Sequence, residues 1–286
     1  MDNSARVHEW LLHAATLIQA QGFEAATLEA QVLLKHALKV DRSWLYAHPT
    51  DSISTELANQ LLERRLGHEP LAYIVGHREF YGREFIVTPA VLIPRQETEL
   101  LVDLAMELRN SDPAPIRILD IGTGSGCIAI SIALELPDAD VWAVDISESA
   151  LSVARQNAEQ LGAKVQWVHS DLVTSLKGEP FDLIISNPPY IDSSESIPAE
   201  VRDFEPPLAL FAKDGGLEIY HRLSLEAKTF LKIGGQLAVE VGHEQAAIVT
   251  ELFQANGWNL VKISEDLAGI PRVVQFQISK SARDIT

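Results

Sequence analysis

Apolar residues recur at helical spacing through the first quarter of the chain. Val7, Trp10, Leu11, Ala14, Leu17 and Ile18 mark one face of a helix, and Gly22 is placed to stop it. Leu28, Val32, Leu33 and Leu38 form a second stripe. Ser54 is placed to cap a third helix carrying Leu57, Leu61, Leu62 and Leu66, with Gly67 just past its end. Pro70 suits the first turn of a short helix reaching Val75. The pattern predicts a small helical bundle over residues 1–76. Its spacings carry no catalytic arrangement, and His8, His13, His36 and His48 are scattered.

The period then shifts towards two. Residues 79–81 and 84–87, around Gly82-Arg83, predict a short hairpin within a linker over residues 77–90. Glu97 and Glu99 suit the positive end of a helix that carries Leu100, Leu101, Leu104 and Leu108. A breaker cluster follows at residues 111–115. Beyond it, short apolar strands over 118–121, 141–145, 165–168, 181–186 and 237–241 alternate with helices over 128–136, 217–231 and 244–255. Gly234-Gly235 separates one of those helices from its strand, and strands over 260–263 and 273–278 close the set. Such alternation predicts an α/β domain over residues 91–286, a Rossmann-like, mostly parallel sheet with helices on both faces.

Composition narrows the class. A chain of 286 residues, 47% hydrophobic and 22% charged, has the balance of a globular protein large enough for two domains. No apolar run approaches the ~18 residues of a membrane span. Residues 1–4 lack the basic-then-apolar pattern of a signal peptide. One cysteine, Cys127, leaves no internal disulfide and no multi-cysteine zinc site, so a reducing cytoplasm is the expected home. A net charge of −17 disfavours extended contact with phosphates, so direct nucleic-acid binding is not expected.

Two stretches carry chemistry. The strand at 118–121 runs into Gly122-Thr123-Gly124-Ser125-Gly126 and then a helix. Alternate glycines let a ligand approach the backbone, and the helix start favours an anionic group. A second strand ends in Asp145, at a spacing suited to holding ribose hydroxyls; the same Asp also suits a helix N-cap. After the third strand, Asp171 offers an acceptor for an exocyclic amine and Leu172 an apolar contact for a ring, although a loop turn explains them equally. The other stretch is Asn187-Pro188-Pro189-Tyr190, at the end of the fourth strand, where open α/β sheets bind ligands. The prolines stiffen the loop and remove donors, leaving carbonyl acceptors, and Tyr190 adds a flat face. Asn187 and the Pro188 carbonyl suit an –NH₂ on a planar centre, though Asn and Pro also make ordinary turns. Glu205 with Pro206 and Pro207 suits either a lid or an acidic loop, and Cys127 reads as a packing residue.

Taken in order, Ile93-Pro94-Arg95…Glu97-Thr98-Glu99, Asp120 through Gly126, Asp145, Asn187-Pro188-Pro189-Tyr190, Phe204-Glu205-Pro206 and Gly234-Gly235…Glu240 resemble the peptide chain release factor N5-glutamine methyltransferases of the HemK/PrmC type. The resemblance spans nearly the whole chain; Gln96 departs from it, standing where the family usually has a second proline. It implies a class I methyltransferase fold, S-adenosylmethionine as donor, S-adenosylhomocysteine as product, and the glutamine of a release factor's Gly-Gly-Gln motif as acceptor. It further implies that residues 122–126 line the methionine part of the cofactor, that Asp145 holds the ribose and that Leu172 borders the adenine. Asn187 would lie between cofactor and substrate, with Pro188, Pro189 and Tyr190 completing the glutamine pocket, no metal being required. Adenine N6 methylation of DNA or RNA shares the Asn-Pro-Pro-Tyr stretch and is the alternative. A dinucleotide oxidoreductase would instead favour Gly-x-Gly-x-x-Gly.

Overall fold

The computed structural model describes residues 4–111 and 115–278. Part of the breaker cluster, residues 112–114, lies outside the described residues, as do residues 1–3. The chain divides into two compact units, Met1–His77 with Ile197–Phe204, and Arg78–Ser196 with Glu205–Thr286.

The first unit is built on α1 (Val7–Ala20), α2 (Ala26–Leu38), α3 (Arg42–Ala47), α4 (Glu56–Leu66) and α5 (Leu71–Val75). Its core draws Val7, Trp10, Ala14 and Ile18 from α1. From α2 it takes Ala26, Ala30, Leu33 and Leu34, so the buried stripe runs along alanines; Leu28 is half exposed. Small residues there allow close helix approach, a choice that a search for large apolar residues overlooks. Helix α3 starts at Asp41, whose carboxylate accepts from Trp44 N at 2.7 Å. Ser54 belongs to a strand, Ser52–Ser54, paired with Ser4–Arg6, and Thr55 holds the N-cap position of α4. Buried Trp10 donates to Asn59 at 2.8 Å, tying α1 to α4.

In the second unit a two-stranded hairpin, His77–Phe80 with Arg83–Ile86, precedes α6 (Glu99–Ser111). Seven strands follow: β1 (Arg117–Ile121), β2 (Asp140–Asp145), β3 (Gln166–His169), β4 (Phe181–Ser186), β5 (Leu231–Glu240), β6 (Trp258–Glu265) and β7 (Pro271–Ile278). Their order is β6-β7-β5-β4-β1-β2-β3, with β7 antiparallel to both β5 and β6 and the other pairs parallel. Alternation along the strands sorts the core into two faces. Ile118, Leu183, Ile185 and Ala238 meet α6 and α7 (Cys127–Glu135), while Leu119, Ile121, Ile184 and Val239 meet the helices Glu218–Glu226 and Ala246–Ala255. Strand β5 already begins at Leu231, so Gly234-Gly235 lies inside it rather than before it. The register shifts there against β4, and a Cβ on Gly235 would stand 3.1 Å from the Phe181 carbonyl. Glycine is needed for that close approach.

Candidate active site

The order reverses between β4 and β1, and both strands run out at the same level. Ile121 is in register with Ser186, whose hydroxyl donates to the Ile121 carbonyl at 2.7 Å. The next residues, Gly122 and Asn187, therefore leave the sheet side by side. The crevice at the carboxyl ends of strands flanking a switch point is where open α/β sheets hold ligands.

The chain after β1 turns through Gly122, Gly124 and Gly126 with φ of 74°, 55° and 82°. Side chains at Gly122 or Gly124 would meet nothing within 4 Å, so both face open space, whereas one at Gly126 would strike Ile130, Ala154 and Trp167. Gly126 packs the turn and the other two leave room for a ligand. Thr123 and Ser125 are buried, and the Thr123 hydroxyl donates to Asp120 Oδ2 at 2.6 Å. These two residues face the cradle through backbone, not side chain.

Asp145 ends β2 and ties the turn in place. Its Oδ2 accepts from Gly124 N at 2.9 Å and its Oδ1 from Ser147 N at 2.8 Å. Ser147, not Asp145, caps α8 (Glu148–Leu161), accepting from Ala150 N. Burial pushes the Asp145 carboxyl up, against those hydrogen bonds. Leu172 is half-buried at φ 47° and packs on the second core cluster. Asp171 beside it pairs with Arg222 at 2.8 Å.

Asn187 is half-buried and its Nδ2 donates to Thr98 Oγ1 at 3.2 Å, which leaves Oδ1 as its remaining acceptor. Pro188 is buried; Pro189 and Tyr190 are half-buried. The Tyr190 carbonyl accepts from Gln245 at 3.0 Å, and burial raises its phenol to about 12. The prolines thus fix a loop whose ends are held by Thr98 and Gln245.

Four residues matter whose place in the site the sequence alone does not give. Thr98, buried in the turn before α6, holds Asn187. Glu205 is buried and accepts from Arg95 at 2.5 Å and from Ile93 N at 3.1 Å, so it anchors the Ile93-Pro94-Arg95 segment rather than forming a lid. Asp120 and Glu240 are buried carboxyls at the ends of β1 and β5, each pushed up to about 7 by burial. Asp120 Oδ1 has no hydrogen-bond partner. Their sequence signal is an acidic residue at a strand end, within stretches that carry the family resemblance.

An open glycine cradle, an unpartnered buried carboxylate oxygen and Asp145 at the neighbouring strand end fit a ribose-bearing ligand with positive charge. S-adenosylmethionine, with its sulfonium and ammonium groups, has that character.

Similar proteins give the family and the fold. A family model described as the methyltransferase small domain matches residues 97–204, and one described as the PrmC N-terminal domain matches residues 9–76. Release factor glutamine methyltransferases of Koribacter versatilis and Bordetella pertussis are 42% and 44% identical to the chain, over 90% and 86% of it, and it covers 93% of each. A bifunctional methyltransferase of Rickettsia felis is 38% identical over 94% of the chain, which spans only 58% of that longer protein. Among solved structures, a methyltransferase from Pyrococcus furiosus matches 77% of the chain and 98% of its own at a TM-score of 0.53 and 20% identity. The hMettl16 catalytic domain in complex with an RNA hairpin matches 81% and 86% at 0.56 and 19%. At such identities these two structures speak for the fold alone.

Proposed function

Because the chain belongs to the release factor glutamine methyltransferase family, we propose that it transfers a methyl group from S-adenosylmethionine to the side-chain amide nitrogen of the glutamine in a release factor's Gly-Gly-Gln motif. The observation that carries this reading is the adjacency of Gly122 and Asn187 at the ends of two paired strands. One of them opens the cofactor cradle and the other presents an amide acceptor. S-adenosylmethionine, when bound, supplies a methyl group on a positively charged sulfur.

Each residue then has a physical task. Gly122 and Gly124 give the cofactor its backbone bed, Thr123, Ser125 and Gly126 hold the bed's shape, Asp145 takes the ribose and Leu172 meets the adenine. A glutamine amide nitrogen is a weak nucleophile because its lone pair is shared with the carbonyl. Asn187 Oδ1 and the Pro188 carbonyl each accept one of its N–H groups, aim the nitrogen and stabilise the positive charge that grows on it. Pro189 stiffens the loop, and Tyr190 gives the planar amide a face to lie against. The methylated nitrogen then gives up one proton and regains its neutral amide form.

In this reading residues 1–76 form the partner-recognition bundle, residues 77–90 the linker and residues 91–286 the methyltransferase domain. The substrate is a protein, and the setting is the cytoplasm, where translation terminates. No helix among the described residues is long and apolar enough to cross a membrane.

The test offers labelled S-adenosylmethionine with a release factor, its Gln→Ala variant, or DNA. Label on the wild-type factor alone supports the reading. Label on the variant factor moves the acceptor elsewhere, and label on DNA favours adenine as the substrate.

A further inference from the structure

Asparagine has two ends of nearly equal shape, and only one of them can accept a hydrogen bond. A pocket that reads –NH₂ with Asn187 must therefore control which way the amide points. Thr98 alone cannot do this, since a hydroxyl both donates and accepts. Its own proton has to be committed elsewhere. The structure supplies the place: the Thr98 hydroxyl stands against the buried carboxylate of Glu240 and lowers its hold on a proton, as a donor does.

Several independent features converge there. Glu240 is the last residue of β5, and Val239 is in register with Ser186, so Glu240 and Asn187 leave adjacent strands together. Thr98 and Glu240 are each 3% exposed. The Tyr220 hydroxyl donates to the Glu240 carbonyl at 2.8 Å and fixes the strand end. Glu240 Oε2 has no hydrogen-bond partner, so the carboxylate is buried at a cost that Thr98 and the arginines nearby offset only in part. A packing role would be filled better by an apolar side chain.

We propose that Thr98 and Glu240 are a positioning pair: Glu240 takes the Thr98 proton, Thr98 can then only accept, and Asn187 turns its –NH₂ to Thr98 and its carbonyl to the substrate amide. The proposal rests on the glutamine reading above. Neither residue touches the substrate; both act through Asn187.

The pair has a consequence in pH. Burial raises the Glu240 carboxyl to about 7, helped by Glu97 and opposed by Thr98, Arg272 and Arg95; Tyr190, Tyr220 and Cys127 also feel its charge. Once protonated, Glu240 can donate to Thr98. The Thr98 hydroxyl is then free to donate to Asn187 Oδ1, which turns the amide over. Two –NH₂ groups would then face each other, and transfer stops. The turnover rate should fall as pH drops through about 7.

The experiment measures kcat for transfer to a release factor between pH 5.5 and 8.5, with cofactor Kd measured alongside. Wild type, Thr98→Val, Thr98→Ser and Glu240→Gln are compared. Thr98→Val should lose on the order of 10²-fold in kcat at pH 8, the cost of a misaimed reacting group, and should lose the acid limb. Thr98→Ser should recover rate and limb together, and Glu240→Gln should show a flat profile. Cofactor Kd should change little in all of them. A Thr98→Val enzyme with wild-type kcat and limb overturns the pair, as does a wild-type rate that is flat across the range. Should Thr98→Val fail to bind cofactor, the Thr98→Ser and Glu240→Gln profiles decide alone. If wild type labels no factor at any pH, the glutamine reading itself has failed.

Discussion

Asp120 is the most deeply buried ionisable group beside the glycine turn, with the Thr123 hydroxyl and the Ala129 backbone N–H as its stabilising neighbours. Burial raises it from 3.8 to about 7, and Glu240 moves from 4.5 to about 7 for the same reason. Between about pH 4 and 7 the folded chain holds protons that the unfolded chain has released, so both groups favour folding most at low pH. That contribution is lost as pH rises through about 7. The melting temperature of the cofactor-free protein, tracked from pH 5 to 8, should therefore fall, and Asp120→Asn should flatten part of the fall. The same substitution should weaken S-adenosylmethionine binding, because a neutral amide replaces a carboxylate at the base of the glycine turn proposed to hold that cationic ligand. Asn187→Ala is expected to behave in the opposite sense. It removes one of two acceptors, so kcat should drop about 10²- to 10³-fold, as for loss of one preorganised transition-state contact, while calorimetric cofactor Kd stays near wild type. At this scale the sequence makes Asn187, Asp145 and the glycines legible because each stands at a strand end with a distinctive type. Thr98 and Glu240 stand in stretches that carry the family resemblance, but their roles are not legible, since Thr98 meets Asn187 across 89 residues of chain and no local pattern reports the contact.

Elements were readable where hydrophobic period and breakers agree. The alternation of strands and helices from β1 to β7 follows from short apolar runs separated by turn residues, and α1 follows from its stripe. Legibility fails where a residue serves a neighbour's backbone. Gly234-Gly235 looks like a helix stop, yet it permits the shifted register between β5 and β4. Gly216 is a sharper case. It has φ 83°, and an added Cβ would lie 2.1 Å from the Tyr190 carbonyl oxygen, an overlap that neither backbone can relieve by a rotamer change. The loop after Asn187 is thus held at the Tyr190 carbonyl by Gln245 and packed there against Gly216. Gly216→Ala should push Tyr190 out of place. Methyl transfer should fall by more than cofactor binding, and the melting temperature should drop as well. A Gly216→Ala enzyme with wild-type kcat would mean that the loop tolerates displacement and that Tyr190 contributes little.

At the scale of the whole molecule, the notable fact is chain routing. The chain leaves the second unit after Ser196, contributes Ile197–Phe204 to the first, and returns at Glu205. Within the first unit this excursion is held by Arg65. Its guanidinium is 3% exposed, binds Glu29 at 2.6 and 3.0 Å, the Glu69 carbonyl at 3.0 Å and Glu200 at 2.9 Å, and lies 3.5 Å over the Phe23 ring. Glu200 is exposed enough that its share of the global stability is small and its bond acts locally on the 197–204 segment, whereas Glu29 is mostly buried. Removing the arginine leaves Glu29 without its cation, which costs about 3–5 kcal/mol for a buried pair broken on one side. Arg65→Met should therefore lower the melting temperature of the full chain and speed proteolytic cutting within residues 197–204. Arg65→Lys should recover only part, since a lysine cannot bind Glu29 through two nitrogens while reaching Glu200. The decisive comparison is the double variant Arg65→Met with Glu29→Met. If the cost lies in the stranded carboxylate, the double variant melts well above the single one, yet its 197–204 segment stays as easily cut, because Glu200 still has no guanidinium to hold it. If both readouts recover together, apolar packing alone anchors the excursion and Arg65 is replaceable. If neither recovers, the stacking of Arg65 on Phe23, not its charge, is what the first unit depends on.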